Sequence, residues 1–302
     1  MSMPLNELYR QLGISKQAVH QYQRRQHAFD QKMANLIIEA DELREEHPGC
    51  GVEKMYYTLK PDFIGRDRFI ETFMELGYRV KRIKNYRRTT IPSWLKYPNL
   101  IEGLVVNNSN MVWQSDITYF ELGDRFSYIV FILDVYSRKI VGYAVSESLR
   151  AEANIRALNM ALRHRPAPQV HHSDRGSQYT DKRYVKMLTD EDTQISMGLQ
   201  GQDNAYAERI NGIIKNEYLK KKKINTISSL RSELKKAVDH YNNKRIHRSL
   251  PQRMTPVQFE SIAKTATHVE IIYARECITP VESTFNWSDD IKKNDLFCQI
   301  VI

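Results

Sequence analysis

The chain has 302 residues, 41% of them hydrophobic, which is enough to bury a real core and exceeds the roughly 100–200 residues usual for one domain, so two or more modules are expected. Its 45 Lys and Arg against 36 Asp and Glu give a formal charge of +9 and a pI near 9.3, which favours a polyanionic partner. Three scattered cysteines, Cys50, Cys277 and Cys298, exclude a disulfide framework or a cysteine-based zinc set. With no signal pattern and no apolar run near the ~18 residues that span a bilayer, a cytoplasmic chain with no membrane partner is expected.

Leu5, Leu8 and Leu12 form one helical stripe, Gly13 breaks it, and Ser15 restarts a helix as N-cap with Ala18, Val19 and Tyr22 inward. This predicts a helix-turn-helix-like segment over residues 1–30 whose second helix ends in Arg24 and Arg25 and lies against DNA; an ordinary helical hairpin is the alternative. Residues 31–90 read as a helical DNA-binding domain. It has an amphipathic helix carrying Leu36, Ile37, Ala40 and Leu43, a breaker "HPGCG", a helix carrying Val52, Met55, Tyr56 and Leu59, and a helix from Arg66 to Leu76 closed by Gly77. The run "YRVKRIKNYRRTT" beyond it packs Arg79, Lys81, Arg82, Lys84, Arg87 and Arg88 together, a density that favours phosphate contact over a solvated face. Residues 91–110, with two prolines and several asparagines, read as a linker.

The pattern changes at residue 111. "MVWQSDITYFEL", "RFSYIVFILDVYS" and "KIVGYAVSE" are β-branched and aromatic runs joined by short connectors, a three-stranded antiparallel meander. A helix from Ala151 to Arg163, a short strand in "PAPQVHHSD", a helix from Asp181 to Leu188, a strand "TQISMG", a polar loop and a long helix from Ala205 come next. This order predicts an α/β domain over residues 111–220, a mixed five-stranded sheet covered by helices in the ribonuclease H-like arrangement.

Asp116 lies in the middle of the first strand, where an acid is costly unless paired or metal-bound. Asp174 ends the fourth strand, which neighbours the first in this fold. A third acid, Glu208, lies on the long helix, where it shares the stripe opposite the apolar residues with Asn204, Asn211 and Lys215. Three converging carboxylates repel unless a divalent cation shares them, and an oxygen-only set points to Mg²⁺ or Mn²⁺. Two such ions per site would serve in-line attack at a phosphodiester.

Competing candidates are weaker. Asp134, placed in the third meander strand, is a rival carboxylate that instead suits a bond to the turn at Ser137. His171 and His172 lack cysteine partners and metal-helix spacing, and Ser173 lacks a nucleophile elbow. Gly176 suits the sharp bend of "HHSDRGSQYT", with Arg175 and Gln178 near a phosphate or terminal base. "LKKKKIN" is either a solvated helix end or a DNA rail. Residues 221–262 read as a C-terminal helical subdomain built on Leu230, Leu234, Val238 and Tyr241, with Lys244, Arg245, His247 and Arg248 either gripping DNA or packing on the core. The tail, residues 263–302, matches no motif, though "VEIIYA" and "LFCQIVI" suit strands.

"VWQSDITYF", "LDVYSRKIVGYAVS", "HHSDRGSQYT", "NAYAERINGIIKNEYL" and "YNNKRIHRSLPQRMTPVQFE", in this order, resemble the signatures of the integrase-like transposases of the insertion-sequence-three family. The resemblance implies a retroviral-integrase-like core with catalytic, metal-holding acids at Asp116, Asp174 and Glu208. It also implies binding of double-stranded DNA at element ends and target, strand cleavage and 3′-end joining, and a nucleoid-associated bacterial protein acting as at least a dimer. The segment before Glu208 is shorter than the family commonly shows. A same-fold nuclease without joining, and a DNA-binding regulator with an inert core, are the alternative readings.

Overall fold

The computed structural model describes residues 5–11, 13–80, 97–123, 125–198, 201–263 and 272–273. The chain divides into two compact units, residues 1–82 and 83–302. No helix among the described residues is long and apolar enough to cross a membrane.

The first unit holds α1 (Leu5–Gln11), α2 (Lys16–Glu46), α3 (Val52–Leu59) and α4 (Arg66–Glu75). Ser15 caps α2 as expected, its Oγ accepting from the Ala18 amide at 3.1 Å. The expected boundary at residue 30 is overturned, because α2 runs unbroken for 31 residues. From Lys16 to Gln31 there is neither Gly nor Pro, so nothing in the backbone chemistry stops the helix. Ala18 and Tyr22 are not inward either; Tyr22 is 67% exposed and burial begins only further along, at Leu36 and Ala40. The unit's core is trihelical, Leu36 and Ala40 of α2 meeting Val52 and Met55 of α3 and Phe69 and Phe73 of α4. Phe69 and Phe73 stack with ring centroids 4.1 Å apart. Gly77 ends α4 at φ 88°, a left-handed conformation that lets the Tyr78 amide donate back to the Phe73 carbonyl at 2.9 Å. The basic positions Arg82, Lys84, Arg87 and Arg88 lie outside the described residues.

The second unit is built on β2 (Val112–Leu122), β3 (Arg125–Asp134), β4 (Ile140–Ser146), β5 (Val170–Ser173) and β6 (Gln194–Met197), after a short β1 (Val105–Val106). Its sheet order is β4-β3-β2-β5-β6, with β2, β3 and β4 antiparallel and β2, β5 and β6 parallel. The crossovers are α5 (Glu152–His164) and α6 (Lys182–Thr189). This is the expected ribonuclease H-like fold. Along β3 the residues alternate between two cores: Ile129, Phe131 and Leu133 face one, Val130 and Ile132 the other. The second core is closed by α5 and α6 through Ala157, Ala161, Tyr184 and Leu188. Gly142 permits the approach of α5, since a Cβ there would stand 2.2 Å from the Ala157 carbonyl oxygen.

The first core is closed by α7 (Ala205–Ile213), α8 (Ile227–Asn243) and α9 (Pro256–Ala263). The helices of residues 221–262 are therefore part of this core: Leu230, Leu234, Val238, Tyr241 and Phe259 share one cluster with Ile129 and Phe131. Asn242 reinforces the join, exchanging hydrogen bonds with the Ile140 amide and carbonyl at 3.0 and 2.9 Å. Glu260 of α9 accepts from Lys139 at 2.8 Å and pairs with Arg165. The expected linker also joins the domain at its end, for Ile101 and Val106 are fully buried and the Leu100 amide donates to Ser196 at 2.8 Å. Within "VEIIYA", β7 (Ile272–Tyr273) pairs antiparallel with β1; "LFCQIVI" lies outside the described residues.

Candidate active site

The register of the parallel pair places the first two acids. Ser115 of β2 lies opposite Ser173 of β5, so the next residues along the two strands are Asp116 and Asp174. β5 ends at that point, and the Asp174 carboxylate accepts from the Gly176 amide at 3.0 Å as the chain turns. Gly176 keeps this corner uncrowded: a Cβ would stand 2.8 Å from Gln178 Oε1 and 3.0 Å from Asp174 Oδ1, so those two side-chain ends would have to shift to admit one.

The third acid is delivered by α7, which lies along β2 on a ladder of side-chain bonds. The Ala207 amide donates to Gln114 Oε1 at 3.3 Å, Asn211 Nδ2 to Asp116 Oδ2 at 2.7 Å, and Lys215 Nζ to Thr118 Oγ1 at 3.1 Å. Each step of four residues on the helix matches a step of two on the strand, because about 6 Å of helix rise equals roughly 6.6 Å of strand rise. Glu208 is exposed on this helix and electrostatically coupled to Asp116. Asn204 ties the helix start to the sheet, donating to the Ser115 carbonyl at 2.9 Å. The helix then passes into a π-helical turn at Ile214–Tyr218.

Burial, then the Asp174 and Glu208 charges, raise the Asp116 carboxyl well above its ordinary value, against the opposing bonds from Ile117 and Asn211. Burial and Asp174 raise Glu208 as well. Tyr179 is pushed up by burial and by both aspartates, and its hydroxyl meets Ser115 Oγ at 3.0 Å. Lys215 is pushed down by burial and by neighbouring Lys220. The acids of this edge thus raise one another, which favours neutralisation by a proton or a cation. Among the described residues, no three His, Cys, Asp or Glu side chains are drawn in tightly enough to form a ready-made ion cage. An all-carboxylate donor set on such an edge fits a hard divalent cation rather than zinc.

Asp134 closes the second meander strand rather than lying in the third, and it is structural: Oδ1 accepts from the Ser137 amide and hydroxyl at 2.8 and 2.9 Å. His171 and His172 are buried and pair with Tyr184 and Ser196 at 2.9 and 2.8 Å. Burial holds their pKa values down, to about 3 and about 4, so both are neutral packing groups.

Several expected DNA contacts take other work. Arg245 is buried and donates through Nε and Nη2 to both Glu217 carboxylate oxygens at 2.9 Å, so it fastens the π-helical turn to the end of α8. Gln178 is buried and donates to the Leu149 carbonyl at 2.8 Å. Asn204 and Asn211 are buried ladder groups. Arg24 and Arg25 on α2 and Arg248 after α8 are exposed, and Arg175 is half-buried beside Asp174. Gln114 and Tyr179 are the supporting residues that sequence reasoning missed. The signal for Gln114 was a long amide within the apolar text "VWQSDI", which must find partners to be buried.

The integrase core domain family matches residues 106–202 and, through a second family of that description, residues 190–256. The 31 kDa protein of insertion element IS600 from Shigella sonnei is 33% identical over 206 residues, covering 65% of this chain and 75% of its own. A putative transposase for insertion sequence element IS986/IS6110 from Mycobacterium tuberculosis is 31% identical over 226 residues, covering 70% and 81%. Among solved structures, the magnesium-bound catalytic core domain of HTLV-2 integrase is 20% identical with a TM-score of 0.43, over 51% of this chain and 97% of that one. With the matched segments spanning the whole ladder of β2, β5 and α7, the chain belongs to the integrase-core transposases of the insertion-sequence-three family.

Proposed function

We propose that the protein is a DNA transposase that cleaves a strand at its element's ends and joins the 3′ end to a new phosphodiester, with Asp116, Asp174 and Glu208 as the catalytic acids. The observation that carries this is the convergence of the three on one edge, two by strand register and one by the α7 ladder, in a member of this family. Their mutual repulsion favours an occupant of opposite charge, and the donor set suits Mg²⁺ or Mn²⁺. Two such ions would stabilise the attacking and leaving oxygens of an in-line displacement.

The chain's own residues orient this edge. Asn211 fixes the Asp116 carboxylate, the Gly176 amide donates to Asp174 as the chain turns away, and Tyr179 supports β2 from the opposite face of the sheet. Arg24, Arg25, Arg175, Lys215 and Arg248 are the DNA-facing cations of this reading, together with Arg82, Lys84, Arg87 and Arg88. Bringing two DNA ends together requires at least two protomers by geometry, and the working location is the bacterial nucleoid.

Joining of labelled, pre-cleaved DNA ends to a target duplex with Mg²⁺ or Mn²⁺ tests the reading. Asp116→Asn, Asp174→Asn and Glu208→Gln should each abolish joining while DNA binding persists. Full joining by any one of these variants would overturn the assignment, and hydrolysis without joining by the wild type would make the protein a nuclease.

A further inference from the structure

The π-helical turn does more than end α7. It inserts one residue into the helical repeat, rotating the chain beyond it by about 100°. The segment "LKKKKIN" follows this turn, and its residues line one cavity with the far end of β2. Between the two lies a cavity of about 380 Å³ lined by Tyr119, Glu121, Lys215, Lys220, Lys222 and Lys223.

Lys215 forms one wall, its amine donating to Thr118 and the Tyr119 carbonyl and lying 4.3 Å from the centre of the Tyr119 ring. Lys222 is held by Glu233 at 2.7 Å. Lys220 and Lys223 have no carboxylate within ion-pair distance among the described residues, and Glu121 is the one acid in the lining. Four lysines in a concave site repel one another and gain most from an anion. The size suits a phosphodiester with its sugar rather than an isolated small ion.

The geometry points to this lysine cavity as a seat for the phosphodiester backbone of a DNA strand, displaced along β2 from the catalytic edge. It rests on the reading of the protein as a DNA transposase. Tyr119 stands three residues beyond Asp116, about 10 Å along the strand, which is about three nucleotides of duplex rise. The seat would hold the strand on one side of the reacting bond, where neither Asp116 nor Glu208 reaches.

The test uses the full chain and a fluorescein-labelled DNA duplex of mixed sequence, with binding followed by anisotropy across a salt series. The double variant Lys220→Gln, Lys223→Gln is compared with Lys182→Gln, Lys186→Gln, which removes the same charge from exposed positions on α6. Each lost phosphate contact flattens the salt slope by about 0.9, so the cavity variant should be flatter by about one to two and bind about tenfold more weakly at low salt. The α6 variant should keep the wild-type slope. Equal slopes in wild type and cavity variant, or equal losses in the two double variants, would overturn the proposal. Joining by the wild type reports separately: a lost slope without metal-dependent joining would keep the seat and sink the transposase reading, and joining with an unaltered slope would do the reverse.

Discussion

Replacing Asn211 by Leu isolates one bond at the proposed active-site edge. The side chains are similar in size, and the Asn211 Oδ1 has no hydrogen-bond partner, so the helix loses little packing. The change removes the 2.7 Å bond from Nδ2 to Asp116 Oδ2, a bond that favours the charged carboxylate. A hydrogen bond to a charged acceptor contributes about 1.5–3 kcal/mol, which is about 10- to 100-fold in the protonation equilibrium. Asp116 already stands well above its ordinary value of 3.8, and the variant moves it further in the same direction. Because a cation and a proton compete for this carboxylate, joining measured against pH at fixed Mg²⁺ should show its acid limb displaced to higher pH. Raising Mg²⁺ should restore much of the lost rate. An acid limb that stays where it is in the wild type would refute the reading of the Asn211 bond as one that opposes the upward shift of Asp116.

The same contacts set further expectations. Asp116 has its folded-state pKa raised, so its contribution to stability is present below pH 3.8 and lost as pH rises through the folded value. Asp116→Asn should therefore be more stable than wild type toward urea at neutral pH without divalent cation. Glu260 shows the opposite sign: burial would raise it, yet Lys139 and Arg165 outweigh burial and hold it below 4.5. Its stabilisation is present above pH 4.5 and lost as pH falls through the folded value, and Glu260→Gln should cost about 3 kcal/mol at neutral pH by urea unfolding. Gly142→Ala drives a methyl against the Ala157 carbonyl at 2.2 Å, and a loss of at least about 2 kcal/mol in the same assay is expected. Gln114→Leu leaves the Ala207 amide without its partner, and a drop in joining larger than the drop in stability would mark loosening of α7.

The sheet was legible because its strands are long or bounded by turn residues, and the alternation of residues 129–133 between two cores is the period that sequence displays best. Asp116 and Asp174 could be paired in advance because one sits within an apolar strand and the other at a strand's end. The reach of α2 was not legible: its polar first half buries no residue fully and packs little beyond Phe29, so no periodicity marks it, and its continuation depends largely on propensity. The role of Arg245 was hidden for a different reason. A basic residue in a basic segment reads as surface until a partner distant in sequence appears, and Glu217 lies 28 positions away. Asn204, Asn211 and Gln178 share that history, since a polar side chain near an acid of the proposed site is equally suited to substrate or to scaffold until the fold chooses.

The three rungs that join β2 to α7 and the π-helical turn after it also set how this edge can fail. Since the rungs recur every four helix residues and every two strand residues, the helix has no intermediate position in which some bonds survive. A slide of one full turn would bring Ala207 opposite Asp116 and Asn211 opposite Thr118, stranding the carboxylate and carrying Glu208 about 6 Å from its place. The edge therefore works as a detent: seated it presents all three acids, and displaced by a single notch it presents two.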